Sequence, residues 1–414
     1  MHPTPTADTK QLVATIRRLI RVFGSQPAHV TEPERTRSTA KLLYSRLERS
    51  GLPVRWVTGD HDTPLIIAGR GPVAISTYLD DIHPDAIAGN DEPPEVTGDV
   101  VKSNGIERKA ALIAHVAGLL AEPEWADSVT LLIETDRHAG SHTLEQWLAD
   151  EAPAFSSAAW EVSDLPLSSP VLVRAATGTL IVEIAMSAAR HNVEPVYGTV
   201  LPDLGLAIAR LVSSLKSSDD EVRIEGFYDG IAALEEFEVD SLVTMGPGVS
   251  RWLTRVAGAE RELSTSHMTL GMFCAPSLVV RQLHVSANND YLPETASAVI
   301  EFQLLPGQDV HQVINALKER VMSSPFDIQV TPLLVRHPVN ASKDIAIPAH
   351  MTVIPIAPGP SPASLFAQHG ISGIGYALVQ RTTDRDQAGV SLDLIAAAST
   401  FLHELTDNLG TTRA

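Results

Sequence analysis

The sequence predicts an α/β protein with a smaller α+β domain inserted into it. Apolar strands alternate with helices in the N-terminal part, and these strands end in polar residues, as in a sheet with helices on both faces. Between residues 173 and 339 the strands instead alternate apolar and polar residues, in the split βαβ order of a ferredoxin-like domain. We therefore predict a first domain at 1–172 and 340–414 and an inserted domain at 173–339.

The N-terminal part starts with two predicted helices. Apolar residues at helical spacing mark 8–23, and a cap at Thr31 opens a second helix that ends at Gly51. The apolar run at 73–75 is predicted to be a buried strand, and the stretch at 85–105, rich in proline, glycine and acids, is predicted to be a loop. Further predicted elements are strands at 54–57, 64–68, 129–133 and 158–162 and a helix from Glu107 to Leu120.

The inserted domain is predicted from alternating strands and two helices. It opens with a half-exposed strand at 180–188 and a helix at 202–215, and an insertion at about 218–275 separates these from the rest. The remaining predicted elements are strands at 278–285, 296–304 and 328–335, a helix at 309–322 and, in the resumed first domain, a strand at 374–376 and a helix at 392–405.

Polar side chains follow the buried strand at 73–75. Tyr78, Asp80, Asp81 and His83 come directly after it. In an open α/β sheet, ligands bind just beyond the carboxyl ends of the strands, so we expect the mouth of an active site here. An ordinary loop with solvated acids is the alternative.

The composition is that of an ordinary globular protein, with 44% hydrophobic and 20% charged residues. A net charge of -19 argues against nucleic acid or an anionic membrane as a partner. The single cysteine, Cys274, excludes an intrachain disulfide and a thiolate metal cluster. Since we find no secretion signal and no apolar run of about 18 residues, we expect a soluble cytoplasmic protein.

Five short segments spread along the chain have the form of motifs that occur together in one family. They are Ile224–Asp229 (Ile-Glu-Gly-Phe-Tyr-Asp), Leu304–Gln308 (Leu-Leu-Pro-Gly-Gln), His191 followed by Gly198, Glu107–Ala110 (Glu-Arg-Lys-Ala) and Gly140–Ser141. These segments resemble motifs of the di-zinc exopeptidases, the family of carnosine dipeptidase, cytosolic non-specific dipeptidase, aminoacylase and glutamate carboxypeptidase. The resemblance covers nearly the whole chain. It implies a zinc-exopeptidase-like α/β catalytic domain with an inserted ferredoxin-like lid and dimerisation domain.

The resemblance also implies a chemistry and an assembly. Members of the family hold two zinc ions that acidify a bridging water, and a glutamate takes the proton from that water. Their lid sheets pair across a two-fold axis, so we expect a homodimer here, with its contact at the strand 180–188 and the helix 202–215. The lid histidine of the family, His191 in this chain, reaches the partner's active site, which makes His191 a catalytic candidate.

Carried over position by position, the resemblance places several metal and catalytic roles on altered residues. The first metal histidine is Tyr78, the aspartate that orients it remains as Asp80, and the bridging aspartate is Glu107. The general-base glutamate is Arg137, and the metal ligand beside it is His138. Both positions of the family's paired glutamates have therefore changed.

Further positions complete the set. One metal-ligand position is retained as Asp164, and the last ligand histidine falls near Asp384. The lid arginine that holds the substrate carboxylate is Gln303, and Gly359 lies where relatives carry a glycine-rich substrate loop. Together with Tyr78, these two residues are the candidates for substrate binding, and the resemblance implies a small-molecule or peptide-like ligand.

Arg137 decides the functional prediction. An arginine cannot act as a base, because its pKa stays above about 12 in proteins, and its charge opposes a metal ion. We therefore predict a pseudoenzyme that has lost two-zinc hydrolysis, with Arg137 paired to Asp80, to Asp164 or to a substrate carboxylate.

Two alternatives stay open. One is an active dipeptidase or amidohydrolase with a rewired site, in which Glu107, His138, Asp164 and Asp384 hold one zinc ion. The other is a metal-free enzyme or a binding protein for an anionic small molecule. His115, inside the apolar helix, is predicted to be a packed or surface histidine rather than a ligand.

Overall fold

The computed structural model divides the chain into two compact units. Unit 1 comprises Met1–Ala176, Leu234–Phe273 and Asn340–Ala414, and unit 2 comprises Thr177–Ala233 and Cys274–Val339. The residues that the structure describes are 7–23, 32–59, 62–80, 95–97, 100–102, 109–151, 153–162, 170–188, 192–231, 233–255, 264–286, 290–322, 326–340, 345, 351–359, 361–378 and 389–411.

The helices of the described residues are α1 (Ala7–Phe23), α2 (Glu32–Arg49), α3 (Ala110–Ala121), α4 (His142–Glu151), α5 (Leu204–Ser214), α6 (Glu236–Arg255), α7 (Thr265–Cys274), α8 (Val310–Met322), α9 (Ala363–Gln368) and α10 (Leu392–Thr411). None of these helices has a stretch long and apolar enough to cross a membrane.

The strands of the described residues are β1 (Val54–Thr58), β2 (Pro64–Gly69), β3 (Val73–Tyr78), β4 (Glu95–Thr97), β5 (Val100–Lys102), β6 (Val129–Glu134), β7 (Ser157–Glu161), β8 (Val171–Ala176), β9 (Gly178–Ser187), β10 (Ser277–Ser286), β11 (Thr295–Leu304), β12 (Asp327–Arg336), β13 (Val339–Asn340), β14 (Thr352–Ala357), β15 (Gly373–Ala377) and β16 (Gly389–Ser391).

Unit 1 is built on a large mixed sheet with the order β1-β2-β6-β3-β7-β15-β8. β3 lies between β6 and β7 and is parallel to both. Every residue of these three strands is buried, as expected where both faces of a parallel sheet are covered. Helices α1, α3 and α10 pack together and share one apolar core with β3 and β6. Because the three strands run in the same direction, their carboxyl ends meet at one edge of the sheet.

Unit 2 contains a four-stranded antiparallel sheet with the order β10-β11-β9-β12. Burial alternates along β9 and β11, and the inward residues share a core with apolar residues of α5 and α8. Strand order and connection are those of a ferredoxin-like domain. The predicted α/β class with an inserted ferredoxin-like domain is therefore confirmed.

Several predicted elements differ from the structure. The predicted loop at 85–105 contains two short strands, β4 and β5, which pair with each other, and β5 also pairs with β16. β8 and β14 were not predicted as strands, although they pair in parallel with each other. The insertion at 218–275 contributes α6 and α7, and residues 234–273 group with unit 1 because α6 packs on β14.

The two edges of the unit 2 sheet differ in exposure and in composition. β10 is exposed along nearly its whole length. β12, the opposite edge, carries Pro332, which removes a backbone donor from that edge. The predicted dimer strand at 180–188 corresponds to β9, which lies between β11 and β12 and has both of its edges paired. β9 therefore has no edge to offer to a partner, whereas β10 does. The exposed aliphatic side chains of β10, each between 40% and 55% exposed, are those of Val279, Val280, Leu283 and Val285.

Candidate functional site

Polar residues gather where the three buried parallel strands end. Asp80 follows β3, Glu134 is the last residue of β6, and Glu161 is the last residue of β7. Tyr78 on β3 is the register partner of Glu134 on β6. The predicted mouth of the site is therefore an edge at which several carboxylates come together.

A tight turn after β6 carries the next residues of the site. The Ser141 amide donates to the Asp136 carbonyl at 2.9 Å, and Gly140 and Ser141 take φ values of 121° and 58°. The Asp136 carboxylate accepts from the Thr143 amide at 3.0 Å and from the Thr63 hydroxyl at 3.1 Å, which ties the turn to the first turn of α4. Burial, together with the nearby carboxylates, raises the pKa of Asp136. The turn fixes the directions in which residues 137 and 138 leave the backbone.

Arg137 points into the protein and is only 1% exposed. Its Nε and Nη2 donate to Oε1 of Glu134 at 3.0 and 2.6 Å, and its Nη1 donates to the Glu161 carbonyl at 2.7 Å. Nη2 also donates to the Ser76 hydroxyl. The guanidinium carbon lies 5.0 Å from the centre of the Tyr78 ring. All three guanidinium nitrogens therefore have internal acceptors.

The ionic partner of Arg137 differs from the expected one. Burial alone would lower the pKa of Arg137, but the charge and hydrogen bonds of Glu134 raise it overall. Arg137 pairs with Glu134, which is the last residue of β6, lies three positions earlier and is itself fully buried, and it does not pair with the predicted Asp80. The other partner predicted within the chain, Asp164, lies outside the described residues. The charge of Arg137 is thus neutralised inside the protein.

Asp80 pairs with His138 instead. Its Oδ2 accepts from the His138 backbone amide at 2.7 Å and from the ring Nδ1 at 3.0 Å. Burial opposes ionisation of Asp80, but the hydrogen bonds and charge of His138 and the charge of Lys109 lower its pKa overall. The Lys109 ammonium also donates to the backbone carbonyls of Leu79 and Asp80. Asp80 orients an imidazole, as the resemblance implied, but the imidazole comes from the neighbouring strand end.

A second polar group lies deeper in unit 1. Nδ1 of His115 donates to the Ala111 carbonyl at 2.5 Å, and Nε2 of His115 lies 2.6 Å from the Tyr376 hydroxyl. Burial lowers the pKa of His115 to about 4, although the backbone hydrogen bond opposes this. His115 is fully buried, so of the two predicted positions, packed or at the surface, the packed one is confirmed.

The other predicted site residues are distributed differently. Tyr78 is 5% exposed and meets the His138 ring edge-on, with centroids 5.1 Å apart. Gln303 lies in β11, where it is half-buried. Gly359 has a φ of 105°, and the helix that follows it, α9, has only six residues. Four candidates lie outside the described residues: Glu107, Asp164, His191 and Asp384.

Two described positions differ from the zinc-site residues of the family that the motifs resemble. Zinc takes imidazole, carboxylate or thiolate ligands that converge on one point. The two altered positions hold the phenol of Tyr78 and the guanidinium of Arg137. Within the described residues, no group of three or more His, Cys, Asp or Glu side chains could hold a metal. Of the predicted ligands, His138 alone has a described geometry.

Sequence analysis did not single out four residues that hold this edge together: Ser76, Lys109, Glu134 and Glu161. Glu134 and Glu161 carried a signal, because each is a carboxylate at the end of an apolar strand that the parallel sheet buries. The Thr77 hydroxyl donates to the Glu161 carboxylate. Lys109 stood in the quoted segment Glu107–Ala110 with no role assigned to it, and Ser76 carried no signal, since only the three-dimensional contacts reveal its partners.

Two of the motifs hold loops of unit 2 together. The Gln308 side chain accepts from the Leu305 amide at 2.6 Å and donates to the Phe227 carbonyl. Gly230 and Gly307 have φ values of 80° and 97°, and their backbones touch so closely that a Cβ on Gly307 would lie 1.9 Å from the Gly230 carbonyl oxygen. These segments, Ile224–Asp229 and Leu304–Gln308, therefore fix the architecture of the inserted domain.

Parallel strands that end at a polar edge, together with an inserted four-stranded domain, define the class: an α/β protein with an inserted ferredoxin-like domain. No family model matches the sequence, and no curated protein matches it. Among solved structures, the chain is similar to an M20 family metallo-carboxypeptidase from Sulfolobus solfataricus, with a TM-score of 0.75 and 20% identity over 97% of this chain and 99% of that one.

Other solved structures show the same similarity. Human carnosine dipeptidase 1 has a TM-score of 0.70 and 14% identity, over 97% of this chain and 99% of that one. A di-peptidase from Saccharomyces cerevisiae has a TM-score of 0.70 and 13% identity, over 98% of this chain and 99% of that one. The predicted resemblance to the di-zinc exopeptidases is therefore confirmed as a resemblance of fold.

Proposed function

We propose that this chain is a peptidase-fold protein that does not carry out two-zinc hydrolysis and keeps the edge of its main sheet as a binding pocket. The buried pair of Arg137 and Glu134 carries the proposal. In the family that the motifs resemble, position 137 holds the general-base glutamate. Here it holds a guanidinium that is 1% exposed and whose nitrogens all donate to internal acceptors.

Two physical points support the loss of hydrolysis. An arginine remains protonated at neutral pH and cannot accept a proton, and loss of general acid–base catalysis typically costs about 10²–10⁴ in rate. Tyr78 offers a phenol, which is not among the usual zinc ligands, at the position where relatives have a metal-binding imidazole. The peptidases among the similar structures support a peptidase or amidohydrolase background for the chain.

Metal analysis and turnover together test the proposal. Protein purified without chelators is analysed for zinc by mass spectrometry, and hydrolysis of a dipeptide and of an N-acyl amino acid is measured with and without added zinc. We expect no stoichiometric zinc and no hydrolysis above buffer, while carnosine dipeptidase prepared in parallel gives both. Bound zinc together with zinc-dependent turnover would overturn the proposal.

A hydrolase with one zinc ion is the second candidate, and the pair of Asp80 and His138 favours it. A carboxylate on Nδ1 is a common way to orient a metal-binding histidine, and it leaves Nε2 as the ligand nitrogen. If this candidate holds, His138→Gln removes one bound zinc per chain and His142→Gln, on the first turn of α4, does not. Zinc content that is insensitive to His138→Gln would exclude it.

A further inference from the structure

The cationic groups at the edge of the main sheet have their donors engaged. Arg137 gives Nε, Nη1 and Nη2 to internal acceptors. The Lys109 ammonium donates to the carbonyls of Leu79 and Asp80. Both residues are buried. An incoming anion would therefore have to compete for donors that already have partners, which argues against the anionic ligand expected from the sequence.

The acceptors at the same edge are not all used. Oδ2 of Asp80 takes both hydrogen bonds from His138, and Oδ1 of Asp80 is buried without a partner among the described residues. His138 uses its backbone amide and Nδ1 for Asp80, and its Nε2 has no hydrogen-bond partner within the described part of the chain. A buried acceptor without a partner costs stability until a ligand or an ordered water satisfies it.

The charge count points the same way. The described groups at this edge include the carboxylates of Asp80, Glu134, Asp136 and Glu161, against two cations, Arg137 and Lys109. The described carboxylates therefore outnumber the described cations at this edge. Asp80 is the residue of this set that both has an unused oxygen and pairs with the partly exposed His138, whose side chain is 13% exposed.

We propose that the pair of Asp80 and His138 binds a primary ammonium group of a small organic amine. The ammonium donates to Oδ1 of Asp80 and to Nε2 of His138, and it supplies the positive charge that the edge lacks. The inference rests on the proposed function, because a metal pair at this edge would supply that charge instead. The proposed ligand is therefore a cation, whereas the sequence led us to consider an anionic small molecule.

Two probes with the same chain length and opposite charge test the ligand class. Butylammonium chloride and sodium butyrate are titrated into the full chain by calorimetry at equal ionic strength. We expect binding of butylammonium and none of butyrate at millimolar concentration. Binding of butyrate alone, or of neither probe, would overturn the inference, since in the latter case water alone satisfies the spare acceptors.

Matched variants locate the site. We expect Asp80→Asn to weaken butylammonium binding about tenfold or more, as loss of a charged hydrogen-bond partner typically does. Asp150→Asn, an exposed acid on α4, should leave binding unchanged. Equal binding by wild type and Asp80→Asn would refute the assignment. If Asp80→Asn fails to fold, histidine NMR on the wild type replaces it: butylammonium must shift the His138 ring signals and spare those of His142, and the reverse pattern overturns the inference.

Zinc analysis of the same preparation separates the two claims. A zinc-free preparation that ignores butylammonium refutes the inference and leaves the proposed function standing. A preparation with stoichiometric zinc and peptide turnover refutes the proposed function and the inference with it, and the zinc content distinguishes this failure from the first.

Discussion

Replacing Arg137 by methionine should destabilise unit 1 severely. The substitution keeps an unbranched chain but leaves Glu134, which is fully buried, without its cation. Removing one partner of a buried ion pair typically costs about 3–5 kcal/mol, because the remaining charge stays buried and uncompensated. The Glu161 carbonyl and the Ser76 hydroxyl lose a donor as well. We therefore expect the free energy of unfolding to fall by about 3–5 kcal/mol.

Urea unfolding followed by circular dichroism measures this change, and an exposed pair in the same unit provides the control. Arg55 bonds Glu151 at 2.5 Å with side chains 56% and 39% exposed, so Arg55→Met should cost at most about 1 kcal/mol. A double variant, Arg137→Met with Glu134→Leu, should recover most of the loss because the carboxylate left unpaired by the first substitution is removed by the second. If Arg137→Met costs no more than Arg55→Met, the ion pair does not have the importance assigned to it.

Three further predictions concern assembly, acid stability and the inserted domain. A homodimer should form through the exposed edge strand β10. Leu283→Lys should therefore give a monomer mass in light scattering, whereas the control Leu333→Lys, on the opposite edge strand β12, should leave the dimer intact. A wild-type monomer at micromolar concentration would contradict this. His115 has a pKa of about 4 in the folded protein, against a reference value of about 6.5. The free energy of unfolding should therefore be unaffected by this group above about pH 6.5, where His115 is neutral, and should fall by on the order of 3 kcal/mol as the pH falls towards 4. His115→Gln should flatten this part of the pH–stability curve, and an unchanged curve would refute the assignment. Gly307→Ala should lower the melting temperature of unit 2, since its Cβ meets the Gly230 carbonyl oxygen, whereas Gly271→Ala, with nothing within 4 Å, should be neutral or stabilising; equal effects in calorimetry would count against the contact.

Much of the fold can be predicted from the sequence, because the spacing of apolar residues along these strands matches the faces that the structure buries. β3 and β6 appear as apolar runs, since a parallel sheet buries both faces, and β9 and β11 alternate because one face of their sheet packs on helices. The short strands β4 and β5 have only three residues each and depend on pairing with each other. Such strands are set by tertiary contacts that a local pattern does not contain.

The candidate site divides in the same way. The resemblance located Asp80 and His138, and the structure brings them together at 3.0 Å. It could not predict that Arg137 would point away from both, because a turn with two residues at positive φ decides whether a side chain leaves towards the cleft or the interior. The partner of Arg137, Glu134, is only three positions away along the chain.

The bridge that Gln308 makes between Leu305 and Phe227 bears on how such proteins are recognised. The two segments that it joins are the most specific points of resemblance to the exopeptidases, and both lie in unit 2, within the inserted domain. A search that uses these two segments therefore groups chains by the architecture of the inserted domain. Neither segment lies at the end of β6, so their resemblance carries no information on the residues there, and the chemistry of a chain has to be judged from those residues.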